Sequence, residues 1–269
     1  MSPKIKIVLN WLATGLVIST NYLANSLPIN GITTAAVSDK FPNFFVPAGY
    51  TFGIWGLIFL LHLLFAGYCT YVFSSSKRAN NPLGRLAQKI APWYWLTCIL
   101  NGGWLIAWHH LYIGTSVIIM IGLLLTLLAI FRILTISEKT LELGYFDHIS
   151  LETPFIIYFS WITVALIANI AAYLVSIFWL GGSIEQWKWS CIMISFAGAL
   201  GVWFSLRWHR PAYTAVIVWG IVGIYVKQSP LSVAIKYNSL TVSAICLLAA
   251  IIGFWYKRKL LFKTKTQFN

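Results

Sequence analysis

The chain contains few charged residues, and acidic residues are the scarcest of them. Charged side chains make up 9% of its 269 residues, and only 6 residues are Asp or Glu. Soluble domains carry roughly 25% charged residues, so this chain lacks the side chains needed to cover a surface that faces water. Its composition therefore excludes an ordinary soluble enzyme or soluble binding domain.

Sequence patterns that indicate catalysis or metal binding are also missing. The four cysteines, Cys69, Cys98, Cys191 and Cys246, do not have the spacing of metal ligands and mostly lie in apolar runs. The sequence contains no nucleotide-binding loop, no metal-ligand cluster and no recognisable pair of nucleophile and base. It therefore favours a binding protein over an enzyme and predicts no metal centre.

Long apolar runs dominate what is present. Hydrophobic residues make up 59% of the chain, and the mean hydropathy is +0.78. Eight runs have about the length that is needed to cross a bilayer. They lie near residues 5–26, 48–74, 90–109, 112–135, 153–178, 189–207, 211–227 and 240–256. The sequence thus predicts an all-α, polytopic integral membrane bundle of about eight transmembrane helices, the third and fourth forming an antiparallel hairpin.

The positions of the basic residues predict the orientation of this bundle. The net charge of +13 would suggest a nucleic-acid partner in a soluble chain, but no such partner is expected for a membrane protein. With both termini in the cytoplasm, 15 of the 19 Lys and Arg residues fall in cytoplasmic segments, leaving Lys40, Lys188, Lys227 and Lys236 outside. This asymmetry follows the positive-inside rule, so the loop 28–47 is expected to face outward.

Polar and aromatic residues recur at helical spacing within four of the runs. Each set shares one helix face by its steps of three, four or seven residues. The sets are Asn10, Thr14, Asn21 and Asn25; Phe52, Trp55, Phe59, His62 and Ala66; Trp93, Thr97, Asn101, Trp104 and Trp108; and Tyr158, Trp161, Ala165 and Asn169. Amides in hydrocarbon are costly unless they are paired, so these faces should point at one another or at a cavity. Hydrogen bonding between helices is the alternative to ligand binding for the asparagines.

Three motifs in these runs carry a family resemblance. Residues 41–59, FPNFFVPAGYTFGIWGLIF, align without a gap with the pattern P-x-W-x-P-P-x-W-x5-W-x3-Y. Pro42, Pro47 and Trp55 match it, Phe44 and Phe59 are conservative replacements, and Val46 and Gly49 depart from it. Leu100, Asn101 and Trp104 match L-N-x-x-W, and Tyr158, Trp161, Ala165 and Asn169 match Y-L-A-W-x3-A-x3-N. The chain resembles the TspO/MBR family, the tryptophan-rich sensory proteins related to the mitochondrial translocator protein.

The resemblance implies a division of the chain and a binding site. It covers about residues 5–178, which implies a five-helix domain at 1–178, followed by three additional helices and a basic cytoplasmic tail at 179–269. Members of the family bind porphyrins, sterol-like lipids and aromatic drugs in a pocket closed by the loop between the first two helices. The departures at Val46 and Gly49 bear on ligand specificity. The ligand-binding residues predicted here are Phe44, Pro47, Phe52, Trp55, Phe59, His62, Asn101, Trp104, Trp108, Tyr158, Trp161, Ala165 and Asn169.

Three other groups of polar residues need an interpretation. His62 lies on the Trp55 face, where a neutral imidazole could ligate the metal of a tetrapyrrole such as haem; the alternative is a core histidine bonded to a carbonyl or an asparagine. His109 and His110 lie at a membrane boundary and are read as interfacial. Four of the six acidic residues gather before the fifth run and are read as a solvated loop; they are Glu138, Glu142, Asp147 and Glu152.

The sequence leaves three classes of function open. The favoured one is a sensor or transporter that binds a flat hydrophobic ligand such as a tetrapyrrole, a sterol-like lipid or a carotenoid. The second is a structural or pigment-holding subunit of a larger membrane complex, and the third is an enzyme of tetrapyrrole breakdown. Membrane lipids and a small hydrophobic ligand are the expected partners, and a homodimer or a partner in a membrane complex is compatible with helices six to eight.

Overall fold

The computed structural model of the chain describes residues 1–138, 140–141, 143–179 and 181–266, with side chains as far as Tyr256. Lys139 and Glu142, and the side chains of the basic tail after Tyr256, lie outside the described residues. The described residues contain helices and no strands, as predicted. Eight of the helices are long: α1 Pro3–Ser26, α2 Ile54–Phe73, α3 Pro82–His109, α4 Ile113–Ser137, α5 Thr153–Ser176, α6 Gln186–Trp208, α7 Pro211–Gln228 and α8 Val233–Thr266.

Short helical segments occupy the connections between the long helices. They are Ile29–Gly31, Thr34–Asp39, Gly49–Gly53, Ser76–Asn80, Tyr145–Asp147 and His148–Glu152. The last of these is a π-helical turn that leads directly into α5.

Among the described residues, six helical stretches are long and apolar enough to cross a membrane. They are Pro3–Ser26, Gly49–Phe73, Ile113–Ser137, Tyr145–Ser176, Gln186–Trp208 and Val233–Tyr256. The protein is therefore a multi-pass membrane protein. The prediction of about eight crossings corresponds to the eight long helices, of which α3 and α7 are less apolar or shorter than the other six.

Two helices begin well before the positions predicted from the apolar runs. Helix α3 starts at Pro82 rather than near residue 90, because the Asn81 side chain accepts a hydrogen bond from the Gly84 amide and Pro82 suits the first helical turn. Helix α8 starts at Val233 rather than near residue 240, where the Ser232 hydroxyl accepts from the Ile235 amide. In both cases the helix begins before the apolar run, in a segment that includes polar side chains.

The described chain clusters into two compact units. The first comprises Met1–Lys40 and Phe52–Ile162, and the second comprises Phe41–Thr51 and Thr163–Asn269. Helix α5 contributes residues to both. The predicted domain boundary at residue 178 rests on the family resemblance and stays a prediction.

In the first unit, α1 packs against α2 and α3, and α3 packs along α4. Only His110, Leu111 and Tyr112 separate α3 from α4, with Leu111 in the left-handed region at a φ of 63°. Two long helices joined by so short a turn run antiparallel, which confirms the predicted hairpin.

In the second unit, α6, α7 and α8 pack against one another. Glycines allow these helices to approach closely. A Cβ atom added at Gly198 of α6 would lie 2.2 Å from Cγ1 of Val242 of α8. Only a residue without a side chain allows that approach.

Candidate functional site

A cluster of aromatic rings surrounds Trp55 in the first unit. The Trp55 ring stacks on Phe59 at 5.7 Å between centroids and lies 6.2 Å from Trp104. It meets Tyr158 and Trp161 edge to face, at 5.8 Å and 6.2 Å. The three tryptophans and Tyr158 are buried, so the faces predicted on α2, α3 and α5 do meet. We call these five residues the aromatic cluster.

The aromatic cluster extends at two edges. Phe52 meets Trp161 edge to face at 6.2 Å, and Trp108 stacks on Trp104 at 5.9 Å. The indole nitrogen of Trp108 also donates a hydrogen bond of 3.2 Å to the carbonyl oxygen of Thr34. Trp108 therefore joins the cluster to the segment that follows α1.

A chain of side-chain hydrogen bonds runs beside these rings. Asn21 donates from Nδ2 to Oδ1 of Asn101 at 2.8 Å, and Asn101 donates from Nδ2 to the Tyr158 hydroxyl at 3.0 Å. The chain links α1, α3 and α5 and satisfies amides that would be costly to bury alone. The interhelical reading of the asparagines is thus correct for Asn21 and Asn101.

A second polar contact lies nearer the start of α1. The Thr14 hydroxyl and the Tyr94 hydroxyl share a hydrogen bond, and Trp95 donates from its indole nitrogen to Oδ1 of Asn10 at 2.6 Å. The sequence analysis missed Tyr94 and assigned Trp93 to this face, but Trp93 is 40% exposed and Tyr94 is fully buried. Each step of four residues turns about 40° beyond a full turn, so two such steps carry Trp93 off the face of Asn101.

His62 lies within the same core, one turn beyond Phe59. It is fully buried, and its ring meets Tyr94 at 5.3 Å and Tyr158 at 5.2 Å, both edge to face. Among the described residues, neither ring nitrogen has a hydrogen-bond partner. The reading of His62 as a core histidine bonded to a carbonyl or an asparagine is therefore wrong, and haem ligation stays a prediction.

The two histidines at the end of α3 differ from each other. His110 is exposed, in agreement with an interfacial position. His109 is buried, and its ring nitrogens hydrogen-bond to the Thr34 hydroxyl at 3.0 Å and to the carbonyl oxygen of Ile29 at 3.2 Å. His109 is therefore not exposed: its side chain holds the segment after α1, and its position at the membrane boundary stays a prediction.

Four of the predicted ligand-binding residues belong to the second unit. Pro47 and Asn169 are buried there, and Phe44 and Ala165 are partly buried. Their part in binding stays a prediction.

Within the second unit, the proline-bearing loop makes hydrogen bonds to α7 that the sequence did not predict. Gln228 of α7 donates from Nε2 to the carbonyl oxygens of Val46 at 2.8 Å and Asn43 at 3.3 Å. The Ala48 amide donates to the carbonyl oxygen of Gly223 at 2.9 Å. Helix α7 thus holds the loop through hydrogen bonds to backbone groups of the loop. The sequence signal was weak, since Gln228 looks like any polar residue at a helix end.

The chain was compared with known protein families, curated proteins and solved structures. A family model described as "TSPO-like protein" matches residues 7–253. The chain belongs to this TSPO-like family. The match extends beyond residue 178 and includes α6, α7 and most of α8, which the resemblance found in the motifs did not reach. No curated protein and no solved structure shows significant similarity to the chain.

This TSPO-like protein also has an acidic group at the end of α4 and the start of α5. Potential ligand atoms of Glu138, His148 and Glu152 all lie within 4.8 Å of one another, and Nδ1 of His148 contacts Oε2 of Glu152. Glu152 is buried, so the reading as a solvated loop is wrong for this residue. Asp147 accepts a hydrogen bond of 2.7 Å from the Tyr68 hydroxyl, which anchors the turn to α2.

In the part of the chain that the structure describes, two grooves are lined by residues outside the aromatic cluster. One, of about 650 Å³, runs between α6 and α8 in the second unit. The other, of about 510 Å³, is lined by Leu63, Leu64, Gly67, Tyr68, Tyr71 and Phe146 in the first unit. Both are lined mainly by apolar side chains, which suits contact with lipid.

Proposed function

We propose that this TSPO-like protein binds a flat hydrophobic ligand and acts as a sensor or transporter of it. The aromatic cluster around Trp55 carries the proposal. The buried indoles of Trp104 and Trp161 and the partly buried ring of Phe59 have their centroids within 6.2 Å of the Trp55 ring, and such aromatic faces stack well on a flat apolar molecule. A tetrapyrrole, a sterol-like lipid or a carotenoid has the matching shape.

The packing of the aromatic cluster supports a site that opens for its ligand. Trp55, Trp104 and Trp161 are each at most 7% exposed, and the rings of Trp104 and Trp161 both contact the ring of Trp55. A ligand that stacks on them has to separate these rings, and its own faces then take the place of the neighbouring rings as stacking partners. The asparagine bonds between α1, α3 and α5 keep the helices together while the rings move.

The absorbance spectrum of the purified protein is the first experiment. A pigment that co-purifies gives a visible band and identifies the ligand class directly. For colourless protein, protoporphyrin IX is titrated into detergent-solubilised protein, and binding is followed by the shift of the porphyrin band and by the quenching of tryptophan fluorescence. Micromolar or tighter binding is expected. Titration without any saturable change would contradict the proposal.

The same preparations separate the alternative functions. A porphyrin spectrum that bleaches with time in proportion to protein, under light or with an added oxidant, would favour an enzyme of tetrapyrrole breakdown. A complex with other chains in mild detergent would favour a structural or pigment-holding subunit. A monomer or homodimer with a stable porphyrin spectrum agrees with a sensor or transporter.

A further inference from the structure

His62 is the most unusual polar group in the core of the first unit. Its side chain is fully buried between the rings of Tyr94 and Tyr158. Within the described part of the chain, no atom makes a hydrogen bond to Nδ1 or to Nε2. A neutral imidazole always has one donor nitrogen and one acceptor nitrogen, so both capacities are unused.

The polar groups next to His62 are engaged elsewhere. The Tyr94 hydroxyl is bonded to Thr14, and the Tyr158 hydroxyl accepts a hydrogen bond from Asn101. The two tyrosines therefore contact the imidazole with their rings, edge to face, rather than with their hydroxyl groups. Because most buried polar groups in proteins have a partner, an imidazole held in this way needs an explanation.

A second unused donor lies in the aromatic cluster itself, which His62 contacts through Tyr158. The indole nitrogen of Trp161 is buried, and the described residues provide no acceptor for it. Trp161 follows Tyr158 by one turn of α5, and both rings touch Trp55. Two donors and one acceptor are thus unsatisfied among rings that are otherwise apolar.

We propose that a ligand of the aromatic cluster is recognised through its own hydrogen-bonding atoms, by His62 in the first place and by Trp161 in the second. The proposal rests on the proposed function and narrows its ligand class. The preferred ligand is a planar aromatic molecule that carries a ring nitrogen or a carbonyl group. A pure hydrocarbon of the same shape leaves the imidazole and the indole unsatisfied and binds more weakly. Nitrogen heterocycles, including tetrapyrroles, are therefore favoured over carotenoid hydrocarbons.

Acridine and anthracene test this inference as a matched pair. The two molecules have the same three-ring shape, and acridine has a ring nitrogen where anthracene has a C–H group. Their dissociation constants are measured by tryptophan quenching at a pH where acridine is neutral. Each value is corrected for partitioning into empty detergent micelles. Wild-type protein is expected to bind acridine about tenfold more tightly than anthracene.

Three variants locate the preference. His62→Phe keeps a ring of similar size and should reduce the acridine preference to about one. His62→Gln keeps a donor and an acceptor and should retain part of the preference. His110→Phe changes an exposed histidine of the same chain and should leave the preference unchanged.

The outcomes separate this inference from the proposed function. Equal affinity of wild-type protein for the two compounds overturns the inference, and so does a preference that His62→Phe does not change. Binding of protoporphyrin IX in that case leaves the proposed function standing. Failure of acridine, anthracene and protoporphyrin IX alike overturns both.

Discussion

The side-chain amide of Gln228 donates a hydrogen bond to the carbonyl oxygen of Val46, with 2.8 Å between the nitrogen and the oxygen. These residues are 182 positions apart in the chain. The bond attaches the proline-bearing loop to α7. In this TSPO-like protein the C-terminal helices thus take part in holding that loop.

Gly223 tests the attachment of the loop. A Cβ atom at this position would lie 2.1 Å from Oγ1 of Thr51, so Gly223→Ala should push Thr51 away and lower the thermal stability in detergent. Gly67 is the matched control, since its added Cβ would meet no atom within 4 Å and Gly67→Ala should be neutral or slightly stabilising. Thr51→Ala should partly rescue Gly223→Ala. Equal melting temperatures for the two glycine variants would contradict the contact.

The bond between Asn21 and Asn101 can be measured with a double-mutant cycle. Asn101→Leu removes the acceptor of Asn21 and the donor to Tyr158, so it should destabilise the bundle by about 1 kcal/mol. The coupling between Asn21→Ala and Asn101→Ala, from unfolding in mixed micelles, should be about 0.5–1.5 kcal/mol. Additive effects of the two substitutions would mean that this bond contributes nothing to stability.

Trp108 and Trp161 form a matched pair for the effect of an indole hydrogen bond. Trp108 donates to the carbonyl oxygen of Thr34, whereas the described residues provide no partner for the Trp161 nitrogen. Replacement by Phe shortens both rings similarly but breaks a hydrogen bond only at Trp108. Trp108→Phe should therefore cost about 1 kcal/mol more than Trp161→Phe in thermal or denaturant unfolding. Equal costs would show that the Trp108 bond is not formed.

We expect the helix orientation that the basic residues predict, and cysteine labelling tests it. Ser76 and Lys40 are both exposed, and the positive-inside rule puts Ser76 in the cytoplasm and Lys40 outside. In a Cys191→Ser background, an impermeant maleimide added to intact cells should label Lys40→Cys and spare Ser76→Cys. Cys69, Cys98 and Cys246 are buried and should not react. Labelling of Ser76→Cys without lysis would contradict the predicted orientation.

The sequence predicted the helices and three of the meeting faces because both depend on local spacing. Apolar runs predicted eight long helices. Steps of three and four residues predicted that the helix faces of Trp55, Trp104 and Trp161 meet. Helix starts were missed at Pro82 and Val233, since a helix can continue into polar residues beyond its apolar run. Local spacing has no information on which distant helix holds a loop, so the contacts of Gln228 with the loop could not be predicted.

The polar details of the candidate site were harder to predict for a related reason. Whether a buried side chain has a partner depends on the rotamers of its neighbours rather than on its own position. His62 was placed on the correct face, but Tyr94 and Tyr158 direct their hydroxyl groups to Thr14 and Asn101 instead of the imidazole. Spacing along one helix does not reveal that choice.

The affinity of tryptophan variants for protoporphyrin IX tests the proposed binding site most directly. Trp104→Ala and Trp161→Ala each truncate a buried ring that contacts Trp55, and each should weaken binding by about 1–3 kcal/mol. Trp203→Ala removes a half-exposed tryptophan of α6 and should leave the affinity unchanged. Equal affinity of wild type, Trp104→Ala and Trp161→Ala, in variants that remain folded, would show that the ligand does not bind at the aromatic cluster.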